Sequence, residues 1–293
     1  VLGCEEILMP LMHPKSLWSE TGRGDSAKDV RYQIKKDDKE YALSFTHEEV
    51  VLDLIRKHSQ SYRDFPIKIY HFSTKFRNEL RAKSGILRGR EFIMKDLYSA
   101  HLSQKELDDF YWKVSESYLN IFKKIGLQVK IVESGGGVFT DLTTHEFQVL
   151  NKAGEDTIYF CEKCDFAQNK EIAKVKAGDK CPKCGGEINE SSGIEVGNIF
   201  RFGTSYSEKM NVGIIDNEGK KQFVYLGSYG IGMTRLIGTL AEVYNDKNGL
   251  IWPEVVSPFK VHLVGLDLEK SKEIYKKLIE SNIDVLFDDR EVS

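Results

Sequence analysis

Apolar and polar positions change their spacing at recognisable punctuation along this chain. Residues 5–12 form an apolar run that predicts a strand ending at its proline, and a second short apolar run covers 41–45. Helical spacing then takes over. Thr46-His47-Glu48-Glu49 has the form of a capping box, and Val51, Leu54 and Ile55 supply the apolar face of the helix it opens. Two long strands are predicted at 66–79 and 90–100. The basic loop between them is punctuated by Gly85 and Gly89, so the pair reads as an antiparallel hairpin with a long tip.

Ser103 and Glu106 make a second capping box. Its helix carries Leu107, Phe110, Val114, Ile121 and Ile125 and stops at Gly126, with Lys123 and Lys124 in its last turn. Gly135, Gly136 and Gly137 mark a tight backbone passage. Shorter strands are predicted at 145–150, 157–161 and 223–228, the last running through Gly227, Gly230 and Gly232 into a helix. Pro253 and Pro258 mark a change of character. Strand 259–265, helix 268–281 and strand 283–287 then open a βαβ unit. The pattern predicts an α+β body on an antiparallel sheet, followed by the start of an α/β unit, with no internal repeat.

Length and composition narrow the classes. A chain of 293 residues suggests two domains and is long enough to bury a substantial core. Its 41% apolar residues, 13 Tyr and 16 Phe exclude a disordered or low-complexity chain. No apolar run approaches the roughly 18 residues of a membrane span. The sequence opens on Val1 in an apolar run with no basic segment ahead of it. It is expected to be a fragment or a processed chain without a signal peptide. A net charge of −3 gives no bulk attraction for nucleic acid, so any such contact comes from local patches.

Five cysteines are present, and Cys4 stands alone. The others form Cys161-x2-Cys164 and Cys181-x2-Cys184. Without a secretory signal this spacing favours metal over disulfides, and four thiolates in two knuckles match a closed, tetrahedral structural zinc site.

The hairpin carries chemistry. Arg77 and Glu79 lie two apart and share a face of the first strand. Arg88, Phe92, Met94 and Asp96 share one parity on the return. A guanidinium meets phosphate in a planar fork, a carboxylate accepts from an amino group of a base, and an exposed ring stacks on one. A cross-strand ladder of ion pairs with one core Phe would use the same residues.

The order F-R-x-E, then R-x-x-x-F-x-x-x-D, resembles motif 2 of class II aminoacyl-tRNA synthetases. GSYGIGMTR at 227–235 resembles motif 3, and the segment ending in Pro10 resembles the last part of motif 1, the dimer-forming element. The three fall in the family's order over 225 residues. THEE at 46–49, MKDLYSAH at 94–101, THEFQVL at 144–150, the VGNIFRFGTSYSEKMN stretch ending at Asn211, and GLIWPEVVSPF at 249–259 resemble bacterial-type prolyl-tRNA synthetases in particular. The likeness covers the chain apart from the cysteine module.

That resemblance implies a class II antiparallel sheet with flanking helices over 1–257, with a small zinc-ribbon-like insertion at 161–184. It implies a partial α/β anticodon-binding domain over 258–293. It puts Arg77 on the α-phosphate of ATP, Glu79 on the adenine amino group and Phe92 against the adenine. Arg88 falls on the γ-phosphate, and Arg235 on the other adenine face and the γ-phosphate. Thr46 and Glu48 would bind the secondary amine of proline. A capping box employs Glu49 and leaves Glu48 free for that role. His145, beside Glu146, falls near the proline pocket, although a structural histidine reads equally well there. Histidines outside the motifs are read as structural. Implied with these are ATP and its Mg2+, structural zinc, proline, the tRNA for proline, a homodimer, a cytoplasmic location and no membrane.

One departure stands out. Asp96 to Gly227 spans 131 positions, mostly occupied by synthetase elements, which leaves no room for the family's editing domain. Three other readings compete with this one. A non-catalytic paralogue would be expected to lose one of Arg77, Arg88 and Arg235. A zinc-ribbon nucleic-acid adaptor needs basic, aromatic-rich knuckles, whereas 161–184 is mixed in charge. A threonyl or seryl enzyme fits neither THEE nor MKDLYSAH, and the mixed Cys/His set of a threonyl pocket is not found.

Overall fold

In the computed structural model, residues 2–59, 61–80, 84–137, 139–140, 142–216 and 218–290 are described, with the side chains of 25 and 26 left aside. Residues 81–83, in the tip of the predicted hairpin, lie outside that set. Nine strands among the described residues form the main sheet. They are β1 (Glu5–Glu6), β2 (Ile67–Phe76), β3 (Glu91–His101), β4 (Lys130–Ser134), β5 (Thr144–Leu150), β6 (Asp156–Cys161), β7 (Ala167–Asn169), β8 (Ile188–Gly203) and β9 (Tyr225–Gly232). Their order is β1-β2-β3-β9-β8-β5-β4-β7-β6. Pairing is antiparallel except for β1 with β2 and β7 with β4.

The hairpin holds as predicted. β2 and β3 pair from Ile67 opposite Ala100 to Phe76 opposite Glu91. Alternation along β2 buries Ile69, His71, Ser73 and Lys75 on one face and leaves Phe72 exposed. β3 loses that alternation from Asp96 onward, because its second half is covered on both faces. Helix α2 (Gln104–Lys124) is one cover. Leu107, Phe110, Tyr111, Val114, Tyr118 and Phe122 form its buried side, and several of them join Leu97, Phe147, Tyr229 and Leu236 in the largest core cluster. Ile121, assigned to that face from the sequence, is exposed. Phe122 takes its place, so the buried stripe sits one position round the helix. α1 (Glu48–His58) shows the same shift, with Leu52 buried and Leu54 exposed.

Both capping boxes are modified. Ser103 Oγ accepts from Glu106 N at 3.2 Å, but Glu106 Oε2 accepts from Leu102 N, one residue early. At α1 the N-cap is His47 and no side chain caps the helix. A buried arginine claims Glu49, and Thr46 turns to Glu48; charge-assisted bonds are roughly twice as strong as neutral ones. The strand predicted at 5–12 is also cut short. β1 holds two residues, and Met12–Pro14 pairs with Lys39–Leu43 in a separate sheet. Pro10 between them has no N–H to donate.

Two strands the pattern did not announce organise the far side of the sheet. β4 is short, and β8 runs for 16 residues. The first part of β8 pairs with β6, the middle with β5, and the end with β9. Strands β8, β5, β4, β7 and β6 therefore return on themselves as a ring around Val132, Ile158, Phe160 and Ala167. At the C-terminal end β10 (Val261–Val264), α4 (Leu268–Glu280) and β11 (Val285–Asp288) make the predicted βαβ, its strands parallel. No described helix is long and apolar enough to cross a membrane.

Candidate active site

A cavity of about 440 Å³ opens between the hairpin, β8, β9, the start of α1 and the 135–137 glycine passage. The passage is tight as expected. A Cβ on Gly136 would lie 2.0 Å from the Thr140 carbonyl oxygen. On β9, a Cβ on Gly230 would press Met94, another lining residue, at 2.9 Å. The three glycines at 227–232 belong to the strand itself; Gly230 and Gly232 line the cavity, whereas a Cβ on Gly227 would meet Tyr229 and Leu107 instead.

One end gathers guanidinium groups. Arg77 lies just past β2, held by its N–H to Arg90 O at 2.9 Å. Its guanidinium faces the Phe92 ring at 5.2 Å, and its Nε has no hydrogen-bond partner. Burial pulls that guanidinium below its ordinary pKa. Glu195 opposes the effect and the like charge of Arg235 adds to it. An anion between two such groups relieves that cost. Arg88 donates to Glu79 at 3.0 Å and to Glu155 at 2.5 Å. Arg235 is in the first turn of α3 (Met233–Val243). It donates to Leu87 O and Glu195 O, each at 2.9 Å, and to the Glu195 carboxylate at 3.2 Å. Arg77, Glu79, Arg88, Phe92 and Arg235 thus share one cavity. Arg77 and Glu79 do so from beyond the strand end, where parity no longer governs direction. The Arg88–Glu79 pair is one rung of the ladder that the sequence also allowed.

The other end is buried and acidic. Thr46 Oγ1 donates to Glu48 Oε2 at 2.5 Å, and Ser228 Oγ donates to Glu48 Oε1 at 3.0 Å. Arg23, which sequence reasoning missed, donates to Glu48 at 3.0 Å and to both oxygens of Glu49 at 2.9 and 2.8 Å. Glu48 is therefore not left free by a cap; it is half of a buried ion pair. Arg23 lies in the polar, glycine-bearing SETGRGDS stretch, which carries no periodicity to mark it as buried. Although burial works against it, Glu49 and Glu48 hold its guanidinium above the ordinary value. Burial in turn keeps the Glu49 carboxyl above the usual range, against the pull of Arg23.

Between the ends lies a second buried pair, Lys75 Nζ to Asp96 at 2.7 Å. Burial opposes ionisation of Asp96, yet Lys75 and His71 hold it well below the carboxylate range. His13, His47 and His71 pack behind it, ring centroids 4.9 and 4.6 Å apart. Burial and nearby Lys75 push His47 down to about 2. His47, His71 and Asp96 are close enough to share a metal ion, but the Lys75 ammonium already sits where the cation would.

Glu146 faces the cavity from β5, and its neighbour His145 does not. His145 accepts or donates at 2.6 Å with Tyr111 Oη and packs on Trp112, as alternation along a strand requires. Burial and then Glu195 push Glu146 up to about 8. Geometry agrees. Ser134 Oγ lies 2.6 Å from Glu146 and 2.7 Å from Glu171, and one hydroxyl hydrogen serves only one contact. A proton on one of the two carboxylates supplies the other.

The four predicted cysteines come together. Cys161 and Cys184 Sγ are 3.5 Å apart, Cys164 and Cys181 Sγ 3.6 Å, and all four lie within 4.8 Å of one another. A tetrahedron with Zn–S of about 2.3 Å has edges of about 3.8 Å, so the donor set fits zinc. The module also reaches the cavity. Asn169 and Glu171 are part of its lining.

The description "tRNA synthetase class II core domain (G, H, P, S and T)" matches residues 32–244. The chain is 37% identical over 306 residues to a proline--tRNA ligase of Wolbachia sp. subsp. Drosophila simulans (strain wRi), covering 99% of this chain and 72% of that protein. The Rickettsia africae (strain ESF-5) proline--tRNA ligase is 36% identical over 309 residues, with the same coverage. The Halothermothrix orenii proline--tRNA ligase is 29% identical over 443 residues, covering 98% of this chain and 78% of that protein. That alignment exceeds the 293 residues of this chain by 150 positions, so the relative carries long segments with no counterpart here. With three arginines, an aromatic ring and the buried Glu48 carboxylate around one cavity, and with these matches along its length, the chain belongs to the proline--tRNA ligase family of class II tRNA synthetases.

Proposed function

We propose that the chain activates proline with ATP and transfers the prolyl group to the tRNA for proline. One observation carries this reading. A single cavity joins a cluster of arginines to a buried carboxylate flanked by hydroxyls, which suits an anion and an ammonium side by side. Arg77 holds the α-phosphate, Arg88 and Arg235 the γ-phosphate, Glu79 the adenine amino group, and Phe92 and Arg235 its faces. Thr46 and Glu48 take the secondary ammonium. The proline carboxylate attacks the α-phosphorus in line, the bond to pyrophosphate breaks, and its electrons leave with pyrophosphate and the associated Mg2+. The attacking group is already an anion, so no protein base is needed; positioning and charge neutralisation supply the rate. His145, on the Tyr111 side of β5, acts by fixing that strand. Amino-acid-dependent pyrophosphate–ATP exchange across the twenty amino acids tests the reading. Proline alone should support strong exchange, and activity with threonine or serine but not proline would overturn it.

The four cysteines hold structural zinc, outside the chemical steps. Residues 1–257 act as the catalytic domain and 258–293 as the start of an anticodon-binding unit. The protein works in the cytoplasm as a homodimer. Exposed Leu8, in the segment resembling motif 1, and Leu11 and Met12 just beyond it are the apolar surface that a second copy would cover. Sedimentation equilibrium should give twice the chain mass, falling to the monomer in Leu8→Glu.

Proofreading should be weak. A pocket built for proline excludes larger side chains by contact, but each missing methylene is worth only about 1–3 kcal/mol. Alanine and cysteine are the expected errors, and no editing segment lies between the motifs. The protein should activate alanine detectably and leave alanyl-tRNA for proline intact. Deacylation well above the spontaneous rate would show that a second hydrolytic site exists.

A further inference from the structure

The buried cluster beside Thr46 holds two carboxylates and one guanidinium. Glu48 and Glu49 are essentially inaccessible, and Arg23 is buried with them. Among the described residues, every other contact of the two carboxylates is neutral: Thr46 and Ser228 hydroxyls to Glu48, and the Thr21 hydroxyl to Glu49 at 2.6 Å. Hydroxyls hydrogen-bond a charge without cancelling it. The three ionised groups therefore sum to one negative charge, in a place where uncompensated charge is costly. Only one of the carboxylates, Glu48, lines the cavity.

The guanidinium is fixed from all sides. Rings of Trp18, Phe45, Phe139 and Tyr206 lie 5.1–5.2 Å from its Cζ, and Tyr206 Oη accepts from Nη1 at 3.2 Å. Its Nε and Nη2 fork onto Glu49, and Nη2 also reaches Glu48. A planar fork stacked between rings cannot be reproduced by an ammonium. Glu49 locks Arg23, and Arg23 locks the Glu48 carboxylate in the orientation it presents to the cavity.

We infer that Arg23 is a positioning residue for amino-acid binding, and that the Arg23–Glu48–Glu49 cluster is built one positive charge short so that the substrate's secondary ammonium completes it. This deepens the assignment of Glu48 to the amine and rests on it. Glu49, which touches no substrate, then sets affinity for proline by setting the charge that the substrate must balance.

The test varies proline and ATP separately in pyrophosphate exchange, using the full chain with Glu49→Gln, Arg23→Met and the double variant. Glu49→Gln leaves Arg23 and Glu48 as a neutral pair. It should raise the proline KM at least tenfold and leave the ATP KM unchanged. Arg23→Met should raise it further. The double variant also removes the Glu49 charge and should bind proline no better than Arg23→Met alone, whereas a merely structural role, relieved of two unpaired buried carboxylates, would show a rescue. An unchanged proline KM in Glu49→Gln, an equal shift in both KM values, or a double variant that binds proline better than Arg23→Met would overturn the inference. If Arg23→Met fails to fold by circular dichroism, the near-isosteric Glu49→Gln decides alone. A proline KM indifferent to Glu48→Ala would instead break the assignment beneath it, so the two failures are distinct.

Discussion

The two ends of the cavity solve opposite problems. At the end proposed for phosphate the arginines come from loops and a helix start, are half-buried, and lean on Glu79, Glu155 and Glu195, partners that an anion can replace. At the end proposed for the amine Arg23, Glu48 and Glu49 are buried in α1 and its packing, and the charge is arranged before any ligand arrives. A large, variable polyanion suits adjustable groups on exposed segments. A small cation with an apolar ring needs a rigid site whose geometry is set by the core. The difference teaches that positional precision here follows burial, and that the most precisely held groups are the hardest to see in a linear sequence.

The comparison can be broken most severely at the phosphate end. Arg77→Ala should reduce adenylate formation by about 10²–10³ or more, since one preorganised donor to developing charge is worth about 2.7–4 kcal/mol. Circular dichroism should show the fold intact, and near-normal exchange would remove Arg77 from the site. At the amine end, Glu48→Ala should raise the proline KM about 10- to 100-fold, the scale of one or two charge-assisted hydrogen bonds, and spare the ATP KM. A change confined to ATP would exchange the identities of the two ends.

The cysteine knuckles sharpen the contrast from outside it. Metal analysis should find one zinc per chain, lost in a Cys161→Ser, Cys164→Ser double variant. Exchange activity should fall only several-fold, since the module contributes Asn169 and Glu171 to the wall but no arginine. Stoichiometric metal in the double variant would refute the four-cysteine site. The smallest effect concerns Glu146, pushed from an ordinary 4.5 up to about 8. Between those values the folded state holds a proton that the unfolded state has lost, so this residue's contribution to stability falls as pH rises. Glu146→Gln should therefore gain relative to wild type between pH 5 and pH 8, by a few kcal/mol at most at about 1.4 kcal/mol per unit. Urea melts at the two pH values measure it, and a constant difference would mean that Glu146 ionises normally.

The hairpin, both long helices and the C-terminal βαβ were legible because each is local, with its periodicity and punctuation contiguous in sequence. Arg77, Glu79, Arg88 and Phe92 were legible for the same reason: they fall within 16 residues of one another. Arg23 was not. Its meaning depends on Glu48, Glu49 and Tyr206, and Tyr206 lies 183 positions away. Glu49 misled because THEE satisfies a local rule that a distant charge overrides. β8 escaped because its glycines and serines weaken strand signals, although they are what let one strand serve three neighbours.

That shared strand has a consequence for engineering. Residues 188–193 belong to the ring and residues 197–203 to the central sheet, with no loop between them. The knuckle-bearing unit therefore has no hinge at this border and cannot be excised as a cassette without cutting a central strand. Its amides should exchange with solvent in step with those of the catalytic sheet, as one cooperative block, and a swap of this unit between relatives should succeed only when the whole of β8 travels with it.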